Sequence, residues 1–378
     1  MAKRVLISAF IGSDNLGDEA IFESILANVD FGQAEVSALS VSPKATQAKG
    51  VKAIYAKNLI KVYRAIKHAD IVVMGGGGII QDQSSILNIF YYLYQLYIAK
   101  WRKVPVVLAF VGVGPLKHRI SRLLLSRVSD TIALAIVRDE KSRKLLKSIC
   151  DIEVEAYHDP VLNYPVGEKA AASVKNSTIV AVSLRQWYFS LPILPASIAR
   201  KMNAKGFKSR KYKELVKGLA DNFDHYLAAN KKDKLQFVSF YDVEDQQMTK
   251  DVLVNMENTD RCIEPAWNLS TEEYLNTIAK AKFLFGIRLH SLILAAVASK
   301  AFVAVNYSPK VGSFTEKMGQ SDAMASIAEY KDLTFFEHMT KVASSHNVRE
   351  AAIYEGWNKT MKHNQEAFKK ISAEIAKR

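Results

Sequence analysis

The chain has 378 residues, more than one hydrophobic core ordinarily supports, so two domains are expected, and its 49% apolar content can fill both. An excess of 52 Lys and Arg over 38 Asp and Glu leaves a formal charge of +14, which points to an anionic partner: a nucleic acid, an acidic membrane surface or a phosphorylated substrate. Two cysteines without paired spacing, Cys150 and Cys262, exclude a disulfide framework and a zinc site, and no uninterrupted apolar run reaches the roughly 18 residues of a spanning helix.

At the amino terminus, MAKRVLISAF passes from two basic residues into a short apolar stretch without a long apolar h-region or a small-residue cleavage site. It reads as a first strand, and the chain as cytoplasmic with reduced thiols. Val5 to Phe10, Val36 to Val41, Ile71 to Met74, Val106 to Val111 and Ile132 to Val137 have the apolar, β-branched character of buried strands. Helical periods fill the gaps at about Asp18 to Leu26, Leu59 to His68, Ser84 to Lys100, Arg119 to Val128 and Lys141 to Ser148. The segment Ile86 to Trp101 is apolar and tyrosine-rich but broken by Asn88 and Gln95, which predicts a helix buried between two strands; its aromatic face could alternatively lie at a membrane surface. Alternating strands and helices predict a parallel sheet built from βαβ units.

Periodicity ends near His158, Asp159 and Pro160, and VLNYPVGEKAAASVKNS reads as a linker. A second alternating series starts at Ile179 to Leu184, continues through Phe237 to Tyr241, and includes the strands around Phe283 and Phe302. The expected organisation is a domain over 1–165, a second over 176–345, and a helical carboxyl-terminal segment over 346–378 that packs back. Within the second domain, just after its first strand, the basic and apolar stretch from Trp187 to Lys213 is long for a βα connection. Its Lys201, Lys205, Lys208, Arg210 and Lys211 among leucines, isoleucines and phenylalanines suit an anionic lipid surface or a lid.

Residues able to do chemistry gather at the predicted strand ends, where ligands bind in open α/β sheets. GSDNLGDEA, from Gly12 to Ala20, follows the first strand and opens a helix; Asp18 and Glu19 in its first turn would repel a phosphate, which suits sugar hydroxyls better. It lacks the three-glycine dinucleotide spacing, and the chain has no GK[ST] phosphate loop. The four glycines from Gly75 to Gly78 imply that a ligand or a facing strand comes close to bare backbone. Asp82 after them is either a helix cap or a carboxylate that binds a substrate. In the second half, GIRLH brings Arg288 and His290 to the end of one strand, and the run Ala301 to Val305 delivers Tyr307 and Lys310. These cations need an anion. It is either an anionic small molecule or structural carboxylates, with His290 then capping the next helix. Arg138 and Asp139 in VRDEKS read as structural, Asp139 starting a helix, and His158 and Asp159 as shaping the linker.

Taken in order, GSDNLGDEA, GGGGIIQDQSS, VRDEKS, HDP, GIRLH and YSPKVGSF resemble the polysaccharide pyruvyl transferase family, closest to the CsaB type that modifies secondary cell-wall polymers, over about Val5 to Gly319. The resemblance implies an α/β fold of the GT-B arrangement, two Rossmann-like domains with parallel sheets facing across a cleft. It also implies transfer of the enolpyruvyl carbons of phosphoenolpyruvate onto a sugar as a cyclic ketal, on a lipid-linked acceptor for which N-acetylmannosamine is implied. Phosphoenolpyruvate would be a co-substrate; no cofactor and no metal are expected.

That chemistry needs cations for a phosphate and a carboxylate, and an acid and a base. Guanidinium groups grip both anions in bidentate fashion, so Arg185 and Arg288 are expected as clamps, with Lys310 opposite the departing phosphate and Tyr307 beside them on the donor side. His290 is assigned the acid or base role, imidazole being the side chain suited to give or take a proton near neutral pH. On the acceptor side, Asn15, Asp18, Gly76, Gly77, Gln81 and Asp82 would bind hydroxyls, with Asp18 also able to act as base. Arg185 could instead form a surface ion pair. Two other readings stay open: a GT-B glycosyltransferase with a nucleotide-sugar donor, and a polyanion binder favoured by charge alone, without any recognisable nucleic-acid-binding pattern.

Overall fold

Short runs of Val, Ile, Leu and Ala that are buried on both faces can form only the inner strands of a parallel sheet covered by helices. Two such sheets account for all the named strands. The structure, a computed structural model, describes residues 2–13, 15–83, 86–166, 176–187 and 208–378. The chain divides into one unit of Met1–Pro165 with Thr360–Arg378 and another of Val166–Lys359.

The first unit holds β1 (Arg4–Ile11), β2 (Glu35–Ser40), β3 (Lys52–Tyr55), β4 (Ile71–Gly75), β5 (Val106–Val111), β6 (Ile132–Val137) and β7 (Glu155–Ala156). All pairs are parallel, in the order β3-β2-β1-β4-β5-β6-β7. The second unit holds β8 (Ile179–Ser183), β9 (Lys234–Val238), β10 (Cys262–Ala266), β11 (Phe283–Gly286), β12 (Phe302–Asn306) and β13 (Met324–Ser326), parallel in the order β10-β9-β8-β11-β12-β13. In both sheets the chain first winds one way and then crosses over to wind the other. The crossover leaves a crevice at the carboxyl ends of β1 and β4 in one unit and of β8 and β11 in the other. These are two Rossmann-like units, as the sequence pattern predicts.

Several helices match their expected positions. Leu59–His68 buries Val62 and Ile66, and Ile86–Arg102 buries Ile89, Tyr92, Leu93 and Leu96 against the first sheet. No helix among the described residues is long and apolar enough to cross a membrane. One expected strand shifts: the run from Phe237 to Tyr241 is half strand, because β9 ends at Val238 and Ser239 to Tyr241 turn into the helix Asp242–Asn255.

The carboxyl-terminal helix, Thr334–Lys377, begins earlier than expected, and from Thr360 it belongs to the first unit. There Phe368 packs on Phe110, with ring centroids 4.7 Å apart. The side chain of fully buried Asn364 accepts from the His158 amide at 2.9 Å and donates to the Asp159 carbonyl at 3.2 Å and to Asn163 Oδ1 at 3.0 Å. The turn at His158, Asp159 and Pro160 is thereby tied to this helix.

Of the insertion from Trp187 to Lys213, residues 188–207, with Lys201 and Lys205, lie outside the described residues, as do Asp14, Ser84 and residues 167–175. Lys208 pairs with Asp251 at 2.6 Å and Arg210 with Glu214 at 2.9 Å.

Candidate active site

In the second unit, β11 ends in Gly286. A Cβ there would come within 2.8 Å of Leu292 and 2.9 Å of Ser291, so only glycine lets strand turn into helix this tightly. The turn puts Arg288 at the N-cap of the helix Leu289–Val297 and His290 at its second position. Arg288 meets a carboxylate of the chain: its Nε donates to Asp245 Oδ2 at 2.7 Å and a terminal nitrogen donates to Asp245 Oδ1 at 2.6 Å. Glu244 Oε2 lies 3.8 Å from the same nitrogen, and the guanidinium sits over the Tyr241 ring at 5.6 Å. Asp245 is almost wholly buried and also accepts from the amides of Phe240 and Tyr241, at 3.2 and 2.8 Å. Burial of Arg288 works against its charge, but the neighbouring Asp245 outweighs it, so the guanidinium pKa is raised. The structural carboxylate that the sequence left open as an alternative is thus Asp245.

His290 stacks parallel to Phe240, with centroids 6.2 Å apart. The same loop after β9 therefore supports both Arg288 and His290. Arg185, two residues past β8, rests against Tyr307 at 4.5 Å and Trp187 at 5.3 Å, and those two rings lie 5.0 Å apart. Aromatic faces cover the flat side of a guanidinium, whereas its hydrogen bonds run in plane, so this seat leaves the N–H edge for a planar anion. Tyr307, one residue past β12, which lies two strands from β8 in the sheet, also contributes to the raised pKa of Arg288. Arg185, Tyr307, Arg288 and His290 thus gather at the carboxyl edge of β8, β11 and β12. Lys310 stands exposed in the first turn of the helix Pro309–Lys317.

In the first unit, Asn15 caps the helix Leu16–Asn28: its Oδ1 accepts from the Gly17 amide at 3.2 Å and its Nδ2 donates to Asp18 Oδ2 at 2.5 Å. Glu19 accepts from the Gly12 amide at 2.6 Å and pairs with Lys49. Gly76 and Gly77 have φ of +57° and +67°. A Cβ on Gly76 would fall 1.9 Å from Ile21 of this helix, and one on Gly77 would fall 3.1 Å from Asp18 Oδ1. What comes close to bare backbone at Gly76 is therefore a helix in place of a facing strand, and Asn15, Asp18 and Gly77 meet at the crevice between β1 and β4. Gln81, partly buried, accepts from the Gln83 amide at 2.9 Å.

Asp82 goes elsewhere. It is buried, and its oxygens accept from the amides of Lys117 and His118 at 2.7 and 2.9 Å, just ahead of the helix Arg119–Ser126. Burial raises its pKa, but those two amides and the Ser121 hydroxyl lower it further, and the net shift is downward. Of the two roles the sequence allowed, Asp82 has that of a cap, for a helix distant in sequence. Arg138 lies against Gly112 and pairs with Asp159 at 3.5 Å, and Asp139 caps the helix Glu140–Lys147 by accepting from the Ser142 amide at 2.7 Å.

The sequence reading missed Asp245, Glu244, Tyr241 and Phe240. Their signal was the acidic pair in YDVED directly after an apolar run, hidden because that run was read as strand through Tyr241. Among the described residues, no group of three His, Cys, Asp or Glu side chains could hold a metal ion.

A family model described as polysaccharide pyruvyl transferase matches residues 15–309. No curated protein matches the chain in sequence. Among solved structures, S. aureus MnaA with UDP is similar at a TM-score of 0.57 and 10% identity, covering 94% of this chain and 91% of the other. Acinetobacter baumannii MurG is similar at 0.52 and 10% over all of both chains, and UDP-GlcNAc 2-epimerase from Methanocaldococcus jannaschii at 0.56 and 11% over 90% and 92%. At such identities the likeness shows the fold, which is of the GT-B type.

Proposed function

The chain belongs to the polysaccharide pyruvyl transferase family, and on that footing we propose that its pyruvyl donor is phosphoenolpyruvate and its product a cyclic ketal on a sugar of a cell-surface polymer precursor. The observation that carries the donor reading is the seat of Arg185 on Tyr307 and Trp187 beside the Arg288 turn, at the carboxyl edge of the second sheet. Phosphoenolpyruvate has two anionic groups for two guanidinium groups. Because Asp245 and Glu244 balance much of the charge of Arg288, Arg185 does more to neutralise the ligand and Arg288 more to orient it. Lys310 meets the departing phosphate as a point charge.

Atoms and protons balance over two additions. His290 gives a proton to the methylene carbon while a first sugar hydroxyl, losing its proton to a carboxylate base, bonds to the adjacent carbon. A second hydroxyl then bonds to that carbon as its bond to the phosphate oxygen breaks, and the proton of this hydroxyl leaves with inorganic phosphate. Positive charge develops on the central carbon in between, and the substrate's own carboxylate and the chain's acidic groups stabilise it. In the first unit, Asn15, Asp18 and the backbone around Gly76 and Gly77 hold acceptor hydroxyls, with Gln81 beside them. The acidic first turn supports a neutral sugar there and disfavours a phosphate. We assign the acceptor as a lipid-linked saccharide, of the N-acetylmannosamine-containing kind that the CsaB resemblance implies. The enzyme then works in the cytoplasm, against the anionic inner face of the membrane.

Titration calorimetry with phosphoenolpyruvate tests the donor. Binding that weakens at least tenfold in Arg185→Ala, with UDP-sugars giving no heat, supports the reading. Heat from UDP-sugars alone overturns it in favour of glycosyl transfer.

A further inference from the structure

Three helices of the first unit form an outer face with an unusual composition. Leu59–His68, Ile86–Arg102 and Arg119–Ser126 contain no acidic residue. They lie side by side: the Tyr94 hydroxyl donates to the Leu59 carbonyl at 3.0 Å, and the Tyr97 hydroxyl to the Leu124 carbonyl at 3.4 Å. Their inward sides bury Val62, Ile66, Leu93, Leu96 and Leu125. Their outward sides leave large apolar groups in water, Ile60 at 66%, Leu87 at 74% and Trp101 at 69% exposure, with Leu123 next to them. Between these stand exposed Lys61, Arg64, Lys67, Arg102 and Arg122, with the Arg102 guanidinium over the Trp101 ring at 5.5 Å. At the rim, Asp130 is paired with Lys100 at 2.9 Å.

From this we propose that the three-helix face is the surface on which the protein docks to an anionic lipid bilayer. Apolar side chains ringed by cations match a layer of negative headgroups over hydrocarbon, where Trp sits at the boundary and Arg and Lys reach back to the phosphates. A second copy of the chain fits poorly, because a face-to-face pair would set cations against cations. A nucleic acid would use the cations and leave Ile60, Leu87 and Leu123 in water. The inference deepens the proposed function by locating the membrane contact, yet the face stands on its own composition, whatever group is transferred. It also differs from the Trp187 to Lys213 insertion, whose Lys208 and Arg210 are already paired with carboxylates.

The test uses the full chain and two vesicle compositions, pure phosphatidylcholine and phosphatidylcholine with a quarter phosphatidylglycerol. Sedimentation should show binding to the anionic vesicles only. The triple variant Arg64→Glu/Arg102→Glu/Arg122→Glu should bind them about a hundredfold more weakly, since each cation near such a surface contributes about 1 kcal/mol. Leu87→Ser/Trp101→Ser should bind more weakly and be released by less salt. Both variants should melt like the parent and turn over a soluble acceptor saccharide at the parent rate, which separates loss of docking from loss of the transfer reaction. Unchanged vesicle binding in both folded variants overturns the proposal. So does a parent dimer that the variants dissociate while their vesicle affinity stays the same.

Discussion

Both oxygens of Asp245 are taken by the Arg288 guanidinium, and one of them also by the amides of Phe240 and Tyr241. Removing that carboxylate strands a largely buried cation and two amides at once. Asp245→Ala is therefore expected to lower stability by about 3–5 kcal/mol in urea denaturation, the usual cost of breaking a buried pair from one side. A loss below about 1 kcal/mol, the range of exposed pairs, would show that Arg288 has another anion to turn to. Asp82 and Asp322 contribute to the acid limb of stability. Asp82 is held down by backbone amides and Asp322 chiefly by Arg349, so each binds its proton less tightly folded than unfolded. The stability they contribute is complete above the ordinary carboxylate range, about pH 4, and is lost as pH falls through their lowered values. Replacing Asp82 with Asn should flatten that decline in an acid titration followed by circular dichroism, and an unaltered slope would refute the assignment.

Elements explain what was legible in the sequence and what was not. The inner strands β1, β4, β5, β6, β8, β11 and β12 were readable because each is built round a run of buried apolar residues. The strands that escaped notice, β3, β7, β10 and β13, are the four sheet edges: KAIY, EA, CIEPA and MAS are short, mixed in polarity and partly exposed, as edges are in general. The same cause hid Asp245. An apolar run shows that a strand is present but not where the chain leaves the sheet, and β9 leaves at Val238, which moves Phe240, Tyr241 and Asp245 to the sheet's carboxyl edge. Arg288, His290, Tyr307 and Arg185 could be placed because each follows directly on a fully buried strand. Gly76 was legible as a close approach but not as an approach to Ile21 of the helix Leu16–Asn28. At φ +57° and with no room for a Cβ, Gly76→Ala should cost at least about 2 kcal/mol in urea denaturation, combining left-handed strain and overpacking. A neutral substitution would mean that helix and loop separate easily.

At the scale of the molecule, two Rossmann-like units present different chemistry at equivalent crevices: acidic in the first, cationic and aromatic in the second. The net charge of +14 is not spread evenly either, since three adjacent helices of the first unit carry no acidic residue. The family membership gives pyruvyl transfer to a polysaccharide, and a small dianion as donor is what we propose for the crevice of the second unit. The most direct measurement is a balance sheet of one reaction, with phosphoenolpyruvate and a lipid-linked saccharide as the only substrates, followed by phosphate release and by mass spectrometry of the glycan. The account predicts one phosphate for each pyruvate ketal formed, and neither product with Arg185→Ala or His290→Ala protein that remains folded. Phosphate release without a ketal, or full turnover in both variants, would contradict it.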